Sequence, residues 1–434
     1  MRLTSIIVAA AATFATTAHV TTALGAQDSQ LVVLKAAYLF DSKSGQLTQG
    51  GSVVVQGGKI VAVGGATPAN ARVIDLGDAT LLPGFIDAHT HLDNQFDKDF
   101  YKAFYQGMLR FPVEQAHTAA LYAKRTLDAG FTTVRNVGAP DFIDIGLRNA
   151  INKGVIAGPR MITAAHSVGS TGGHCDGSPF PPDVVEPPGV LEGVCNGPDE
   201  CRAAVRYQMK WGADVIKICA SGGVLSEADP VDVPQLTPDE LGAIMSEAHA
   251  WKRKVAAHSH GDLAAKMAVE AGVDSIEHGS FLSEATLRLM KQKGVYLVPT
   301  RMALYWVERE AATYPPVIAA KARAAAAAHG SMLKMAIKIG VPIAFGTDAG
   351  VFPHGMNAKE FALMVEQGMA PEAALLAGTR ESAKLLGVDA EVGTLEAGKM
   401  ADVVAVRGNV LKDIAVTEQP VFVMKHGAVV LQKK

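Results

Sequence analysis

Six residues of metal-binding or amine type stand in a fixed order at the ends of apolar, strand-like runs: His89 and His91, Lys217, His258, His278 and Asp348. No other feature constrains the fold as much, because side chains from five distant runs can meet only if those runs end on a common rim. His89 and His91 close the run Leu82–His91. Side chains alternate along a strand, so residues two apart point to one side and can chelate one ion. Lys217 lies in Asp214–Ala220, His258 in Val255–His260, His278 in Ser275–Ser280 and Asp348 at the end of Pro342–Asp348. With Phe131–Val137, Met161–His166 and Val295–Thr300 these make eight β-prone segments separated by Ala-rich helical stretches. That alternation predicts parallel βαβ units, and eight of them predict an α/β fold of the (β/α)8 TIM barrel type. The functional residues of such a barrel come from the C-terminal ends of its strands.

The rest of the chain predicts a second, smaller unit. Its 434 residues, 49% hydrophobic and 19% charged, suffice for one large core and a smaller domain. Short strand patterns at Val32–Leu39, Gly51–Val63 and Arg72–Leu76 recur near the other end at Ala401–Val406 and Val421–Gly427. They predict a β-sandwich domain drawn from residues 27–82 and 388–434, around a barrel at 83–387. Residues 1–26 read as a secretory signal peptide: a positive start at Met1-Arg2, an apolar stretch from Ile6 to Ala15, and small residues at Ala23–Ala26. The stretch is short and broken by threonines and a histidine, which argues against a membrane anchor. The expected location of the mature chain is therefore the periplasm or the cell exterior, with no membrane contact after cleavage. A formal net charge of -3 and no basic block exclude nucleic acid as a partner. In an oxidising compartment a disulfide between two of Cys175, Cys195 and Cys201 is expected, with the pairing open, while Cys219 reads as part of a buried strand. The absence of any CxxC pair disfavours a cysteine zinc site.

Two cations about 3.5–4 Å apart can share an ionised water and grip a carbonyl. One cation would take His89, His91 and Asp348, the other His258 and His278. Lys217 is the expected bridge, because a buried amine loses its proton readily and then forms a carbamate with carbon dioxide. Asp348 is the expected general base, passing the proton to the leaving amine. His260, two residues past His258 and on the same side, is the first choice to polarise the scissile carbonyl, and His166 at the end of the third strand the second. His166, His174, His260 and Arg301 are the expected substrate contacts. Arg135 is expected to order the barrel mouth or interior. His117, His249, His329 and His426 are expected to be structural or solvated. The Pro- and Gly-rich loop from Gly169 to Gly189 should cover the pocket, with Tyr305 and Trp306 near the same mouth.

The HxH pair after Pro83-Gly84-Phe85-Ile86-Asp87, Lys217, His258, His278 and Gly346-Thr347-Asp348 together resemble the amidohydrolase superfamily over nearly the whole mature chain. Val392–Val404 looks like that superfamily's return to its β-sandwich. Thr132–Gly138, Gly172-Gly173-His174, Gly222–Ser226 and His258–Gly261 resemble its imidazolonepropionase-related branch. That branch includes binuclear Xaa-Pro dipeptidases, carboxypeptidase-like enzymes and ochratoxin-hydrolysing amidases. The resemblance implies two zinc ions, a carboxylated Lys217 and a homo-oligomer. Nitrogen and oxygen ligands alone also admit manganese or cobalt. The expected activity is hydrolysis of an amide or peptide bond to a C-terminal amino acid, in a dipeptide or an N-acyl amino acid. Phe180, Tyr305 and Trp306 hint at bulky or aromatic groups such as the phenylalanine amide of ochratoxin. Alternatives are a cyclic-amide hydrolase or deaminase of the same superfamily, a lactonase or esterase, and a noncatalytic barrel. Cyclic-amide hydrolases and deaminases normally lack the strand-four lysine, the same hydroxide would also attack a lactone or ester, and the complete ligand set argues against a noncatalytic barrel.

Overall fold

The computed structural model describes residues 30–95, 99–177 and 180–433. The expected signal peptide therefore lies outside the described residues. Five strands come first: β1 (Val32–Asp41), β2 (Gln46–Gln56), β3 (Lys59–Val63), β4 (Arg72–Asp75) and β5 (Ala79–Pro83). Seven more, alternating with helices, follow: β6 (Phe85–Thr90), β7 (Phe131–Asn136), β8 (Arg160–Thr163), β9 (Val215–Cys219), β10 (Lys254–Ser259), β11 (Ser275–His278) and β12 (Tyr296–Val298). The chain ends on β13 (Val403–Arg407), β14 (Phe422–Lys425) and β15 (Ala428–Gln432).

Strands from both chain ends share one sheet, in the order β15-β14-β13-β5-β1-β2-β3, with β4 also paired to β1. β13 runs antiparallel to β5, Val404 opposite Leu82, which joins the two ends of the chain. Alternate residues Leu34, Val53, Ile60, Leu81, Val403 and Phe422 form a shared apolar core, as period-two patterning requires. This is the β-sandwich unit that accompanies the barrel.

The barrel closes through single contacts as well as regular ladders. β6-β7-β8 and β9-β10-β11-β12 are parallel sheets. Just beyond β8, Val168 donates to Lys217 O and accepts from the Cys219 N–H, at 2.8 and 2.9 Å, which links the two sheets. On the other side Leu297 of β12 bridges to Ile343. Phe345, Asp348 and Ala349 then bond to Ala88, His89 and His91, each at 2.8 Å. The expected eighth strand thus takes its place in the ring without forming a continuous ladder. Pro342 has no N–H to give, and Asp348 is turned to φ 61°. β8 and β12 also stop earlier than expected, because Ala165 and Thr300 turn the backbone to φ 59° and 48°.

The covering helices follow local sequence rules. Pro238–Ala250 opens on a capping box in which the Glu240 N–H donates to Thr237 Oγ1 and Glu240 accepts the Thr237 N–H. It buries Leu241, Ile244, Met245 and Ala248, the one-face spacing of an amphipathic helix. Full burial of each of the larger side chains stabilises by roughly 1.5–3 kcal/mol. A second apolar cluster, with Val224, Met302, Leu304, Val307 and Phe352, packs the helix Arg301–Arg309 against the loops that follow β9 and Asp348.

Candidate metal centre

The ends of β6, β9, β10 and β11 and the turn at Asp348 bring the six expected residues to one rim. Asp348 Oδ1 lies 3.4 Å from Nε2 of both His89 and His91. The ligand atoms of His89, His278 and Asp348 fall within 4.8 Å of one another, as do those of His258, His260 and His278. His278 is common to both triads. Ring centroids of His89 and His278 are 4.9 Å apart, and those of His258 and His278 4.6 Å. His89, Lys217, His258, His260 and His278 are all buried, and His91 is the most open, at 31% side-chain exposure.

Each candidate ligand histidine has one ring nitrogen tied down. His91 Nδ1 donates to Gly138 O at 3.1 Å and His258 Nε2 to Gly222 O at 3.1 Å. His89 Nδ1 donates to Glu277 Oε2 at 2.7 Å. His278 Nδ1 donates to Thr300 Oγ1 at 2.7 Å, because that hydroxyl gives its own proton to Pro299 O. Carbonyls and carboxylates only accept, so these bonds fix the tautomers. Nε2 of His89, His91 and His278 and Nδ1 of His258 are left as lone-pair donors, the arrangement found around bound metals. Burial pushes all four imidazoles down, His91 to about 4 and the others well below the usual range. They are neutral at neutral pH, as ligation requires.

Lys217 is the second test of the donor set. Burial pushes its amine down to about 8, against the pull of Glu277 and Asp348. Among the described residues its Nζ has no hydrogen bond or ion pair. A buried amine without a partner is expensive, and it fits either carbamate formation or a bound group. Burial raises Asp348 to about 6, Lys217 opposing and Glu277 adding to the shift. The donor set fits bound metal.

Beneath the rim lies a polar network inside the barrel. Glu277 Oε1 accepts from Arg135 Nη2 at 2.8 Å and Ser275 Oγ at 2.5 Å, while its Oε2 holds His89. Arg135 also donates to Ala88 O at 2.6 Å, so of the two expected places, mouth or interior, it orders the interior. Asp87, raised by burial to about 7, receives Thr347 Oγ1, Asn357 Nδ2 and the His89 N–H. Sequence reasoning did not single out Glu277, Asp87 or Thr300. A signal existed for two of them: Asp87 lies two residues before His89, and Glu277 two after Ser275, so each shares an inward face within a wholly buried run.

The four expected substrate contacts divide. His260 stacks on His278 with centroids 4.8 Å apart, and its Nδ1 meets Ser280 Oγ at 2.8 Å. His174 stacks on His258 at 4.3 Å. His166 is held elsewhere: Nδ1 donates to Gln208 Oε1 at 3.2 Å, Nε2 accepts the Asp141 N–H at 3.3 Å, and the ring stands edge-on to Phe142. The turn at Ala165 directs it there. Arg301 begins a helix whose first N–H groups enter the buried Glu360 carboxylate, and its Nη1 reaches Ala326 O only at 3.5 Å. Among the helical histidines, His329 is fully buried, with Nε2 donating to Pro299 O at 2.8 Å, and His249 pairs with Asp274 at 3.0 Å.

The cysteines form two disulfides, Cys175–Cys219 and Cys195–Cys201. The first corrects the expectation that pairing would be confined to Cys175, Cys195 and Cys201. Cys219 lies two residues after Lys217, so it shares that residue's face and points its sulfur at the loop over the mouth.

The Amidohydrolase family profile matches residues 80–430, and the chain belongs to the amidohydrolase family. Ochratoxinase of Aspergillus niger is 34% identical over 355 residues, 78% of this chain and 72% of that protein. A solved Xaa-Pro dipeptidase with methionine bound in its active site is 39% identical, with a TM-score of 0.88 over 92% of this chain and 99% of that one. A prolidase solved with N-methylphosphonate-L-proline is 30% identical, with a TM-score of 0.84 over 93% and 100%. The protein is a hydrolase with the barrel and β-sandwich of its family.

Proposed function

We propose that this chain hydrolyses the amide or peptide bond to a C-terminal amino acid, in a dipeptide or an N-acyl amino acid, at a centre for two divalent cations, zinc foremost. His89, His91, Lys217 as a carbamate, His258, His278 and Asp348 would hold them. The observation that carries this reading is the set of fixed tautomers: three buried histidines and the half-buried His91 each turn an unprotonated nitrogen inward, beside a carboxylate and a lysine that has no partner among the described residues. When bound, such cations act as Lewis acids, polarising a carbonyl and lowering the pKa of a water to near neutrality.

Asp348 is the general base. Its carboxyl, held near 6 by burial, is ionised at neutral pH yet basic enough to take a proton from water and return it to the leaving amine. His260 would donate to the carbonyl oxygen from Nε2–H, in the tautomer whose Nδ1 accepts from Ser280 Oγ. His174 contacts the substrate from the loop over the mouth. Partly buried Leu225, Val231, Phe281, Tyr305 and Trp306 beside the second apolar cluster favour a bulky or aromatic group, and ochratoxin-type amides belong to that class. The relatives that cleave Xaa-Pro or ochratoxin support the reaction type. Two disulfides support export to an oxidising compartment.

The test pairs metal content with amino acid release from Xaa-Pro, Xaa-Lys, Xaa-Phe and N-acyl-Phe compounds. About two metals per chain and release from any of them is the expected result. One metal and no amide cleavage would overturn it and point to the cyclic-amide hydrolase or deaminase reading.

A further inference from the structure

His174 differs from the other histidines of the cluster in coming from a loop. The rest lie on β6, β10 and β11 or within one residue of them, whereas His174 sits in a Gly-rich segment in which Gly172 and Gly177 take φ 73° and 68°. Left to itself such a segment has many conformations. Its ties are therefore what place the ring. The His174 N–H donates to Gln235 Oε1 at 2.9 Å and Nδ1 meets Ser226 Oγ at 3.1 Å. The Ser226 hydroxyl gives its proton to Asp229 Oδ1, so it accepts from His174 Nδ1–H. His174 Nε2 is then a lone-pair acceptor at the mouth. Asp229 is itself held by the Gly223 N–H at 2.9 Å and by Lys321 at 3.6 Å.

The remaining tie is covalent. Cys175, next to His174, is bonded to Cys219, which shares a face of β9 with Lys217. Two glycines make room for this arrangement. A Cβ on Gly169 would come within 2.7 Å of Cys175 Cβ, and one on Gly223 within 2.1 Å of His174 Nδ1. The two disulfides differ in access: Cys195 and Cys201 are both 0% exposed and Cys219 is 4% exposed, whereas Cys175 is half-buried, which makes its bond the more accessible of the two.

We propose that the Cys175–Cys219 disulfide is a positioning element of the reaction centre. It holds His174 against His258 so that Nε2 can accept a substrate hydrogen bond, and opening it lowers turnover while the metal ions stay bound. The inference rests on the hydrolase reading above. A trialkylphosphine supplies the reducing step: phosphorus attacks one sulfur, the S–S bond breaks, and water delivers the oxygen of the phosphine oxide and the protons of the two thiols. A phosphine is preferred to a dithiol, which would compete for zinc.

The full-length, metal-loaded chain is treated with the phosphine under native conditions, alkylated, and followed by intact mass, metal content, kcat and KM. Two alkylated thiols, retained metal and a loss of roughly 10- to 100-fold in kcat/KM are expected. The Cys175→Ser/Cys219→Ser variant should show the same loss and no response to phosphine. Combined with His174→Ala, its loss should not multiply, because the disulfide acts through that ring. Two free thiols with kcat/KM within about twofold of the untreated chain would overturn the proposal, as would losses that multiply in the His174→Ala background. If the untreated chain cleaves no amide, the hydrolase reading fails by itself. Hydrogen exchange at the His174 amide still decides positioning: it should quicken about tenfold or more on reduction, and unchanged exchange would overturn it.

Discussion

Glu277→Gln is the substitution that most directly tests whether the network beneath the rim is one energetic unit. Glu277 is 0% exposed and joins Arg135 to His89. A glutamine of the same shape presents one acceptor and one NH2 group to three neighbours, Arg135, His89 and the Ser275 hydroxyl, that all donate to the carboxylate. Either Arg135 loses its acceptor or the His89 Nδ1–H does, and in both cases a buried guanidinium loses its counter-charge. Removing one partner of a buried ion pair costs about 3–5 kcal/mol. For a chain of 434 residues the unfolding entropy is about 0.9 kcal/mol/K, from roughly 2.1 cal/mol/K per residue, so Tm should fall by about 3–6 °C. The measurement belongs on metal-stripped protein, since bound metal would add its own stabilisation. Metal affinity, followed by competition with a chelator, should drop roughly 10- to 100-fold as the His89 ring loses its orienting acceptor. Adding Arg135→Met removes the stranded charge and frees the glutamine to accept from His89, so the double variant should recover about 2 kcal/mol relative to the sum of the singles. A Tm within about 1 °C of the parent together with unchanged metal affinity would refute the reasoning, as would strict additivity.

Asp348→Asn should leave the fold intact and cut turnover by about 100-fold or more; near-normal kcat on the best substrate of the panel would remove it as the base. Lys217→Ala should lose bound metal and activity, and millimolar formate or acetate should restore part of both if a carbamate bridges the cations; retention of both metals without added acid would exclude that bridge. Gly223→Ala drives a Cβ into the His174 ring, so kcat/KM should fall roughly tenfold with metal content unchanged; full activity would mean the ring need not lie there. Glu396→Gln tests the contact between the C-terminal tail and the β1–β2 turn. Its hydrogen bond with Lys43, helped by Thr394 and Lys399 and opposed by slight burial, holds Glu396 down at about 2. A depressed carboxyl stabilises above its unfolded pKa and loses that contribution as pH falls through the folded value. The variant should therefore be less stable at pH 7, by no more than about 1 kcal/mol for so exposed a pair, and equal to the parent near pH 2. A difference that grows on acidification would refute the assignment.

Much of the barrel was legible because its strands obey two simple periods. Lys217 and His258 sit inside regular strands where alternation alone decides their face, with Cys219 and His260 two residues on sharing it. The pairing of Cys219 was legible by the same rule, but its place in a buried strand read as packing. His166 shows the opposite failure. Alternation carried it to the end of the third strand, yet that strand stops at Thr163 and the turn at Ala165 delivers the ring to Gln208. His174 depends on a loop held by a disulfide, a glutamine and a serine from two other segments, and no local period encodes such a placement.

The same limit applies at two of the six principal residues. Glu277 and Thr347 both point into the barrel, toward Arg135 and Asp87, so strict alternation would send their neighbours His278 and Asp348 outward. Both neighbours instead reach the rim, and both have left-handed backbones, at φ 69° and 61°. Thr300, which orients His278, is a third non-glycine residue in that region, at φ 48°. Each such residue costs roughly 1–2 kcal/mol relative to ordinary backbone, and none carries the glycine that would avoid it. Glycine could relieve the strain but has no imidazole, carboxylate or hydroxyl to place there. At His278 and Asp348 that strain serves side chains that must turn back over the mouth, whereas Ala165, Lys252 and His426 carry left-handed backbones elsewhere. It follows that the inward-facing Glu277 and Thr347 and the rim-facing His278 and Asp348 can be adjacent in sequence only because the backbone changes hand between them.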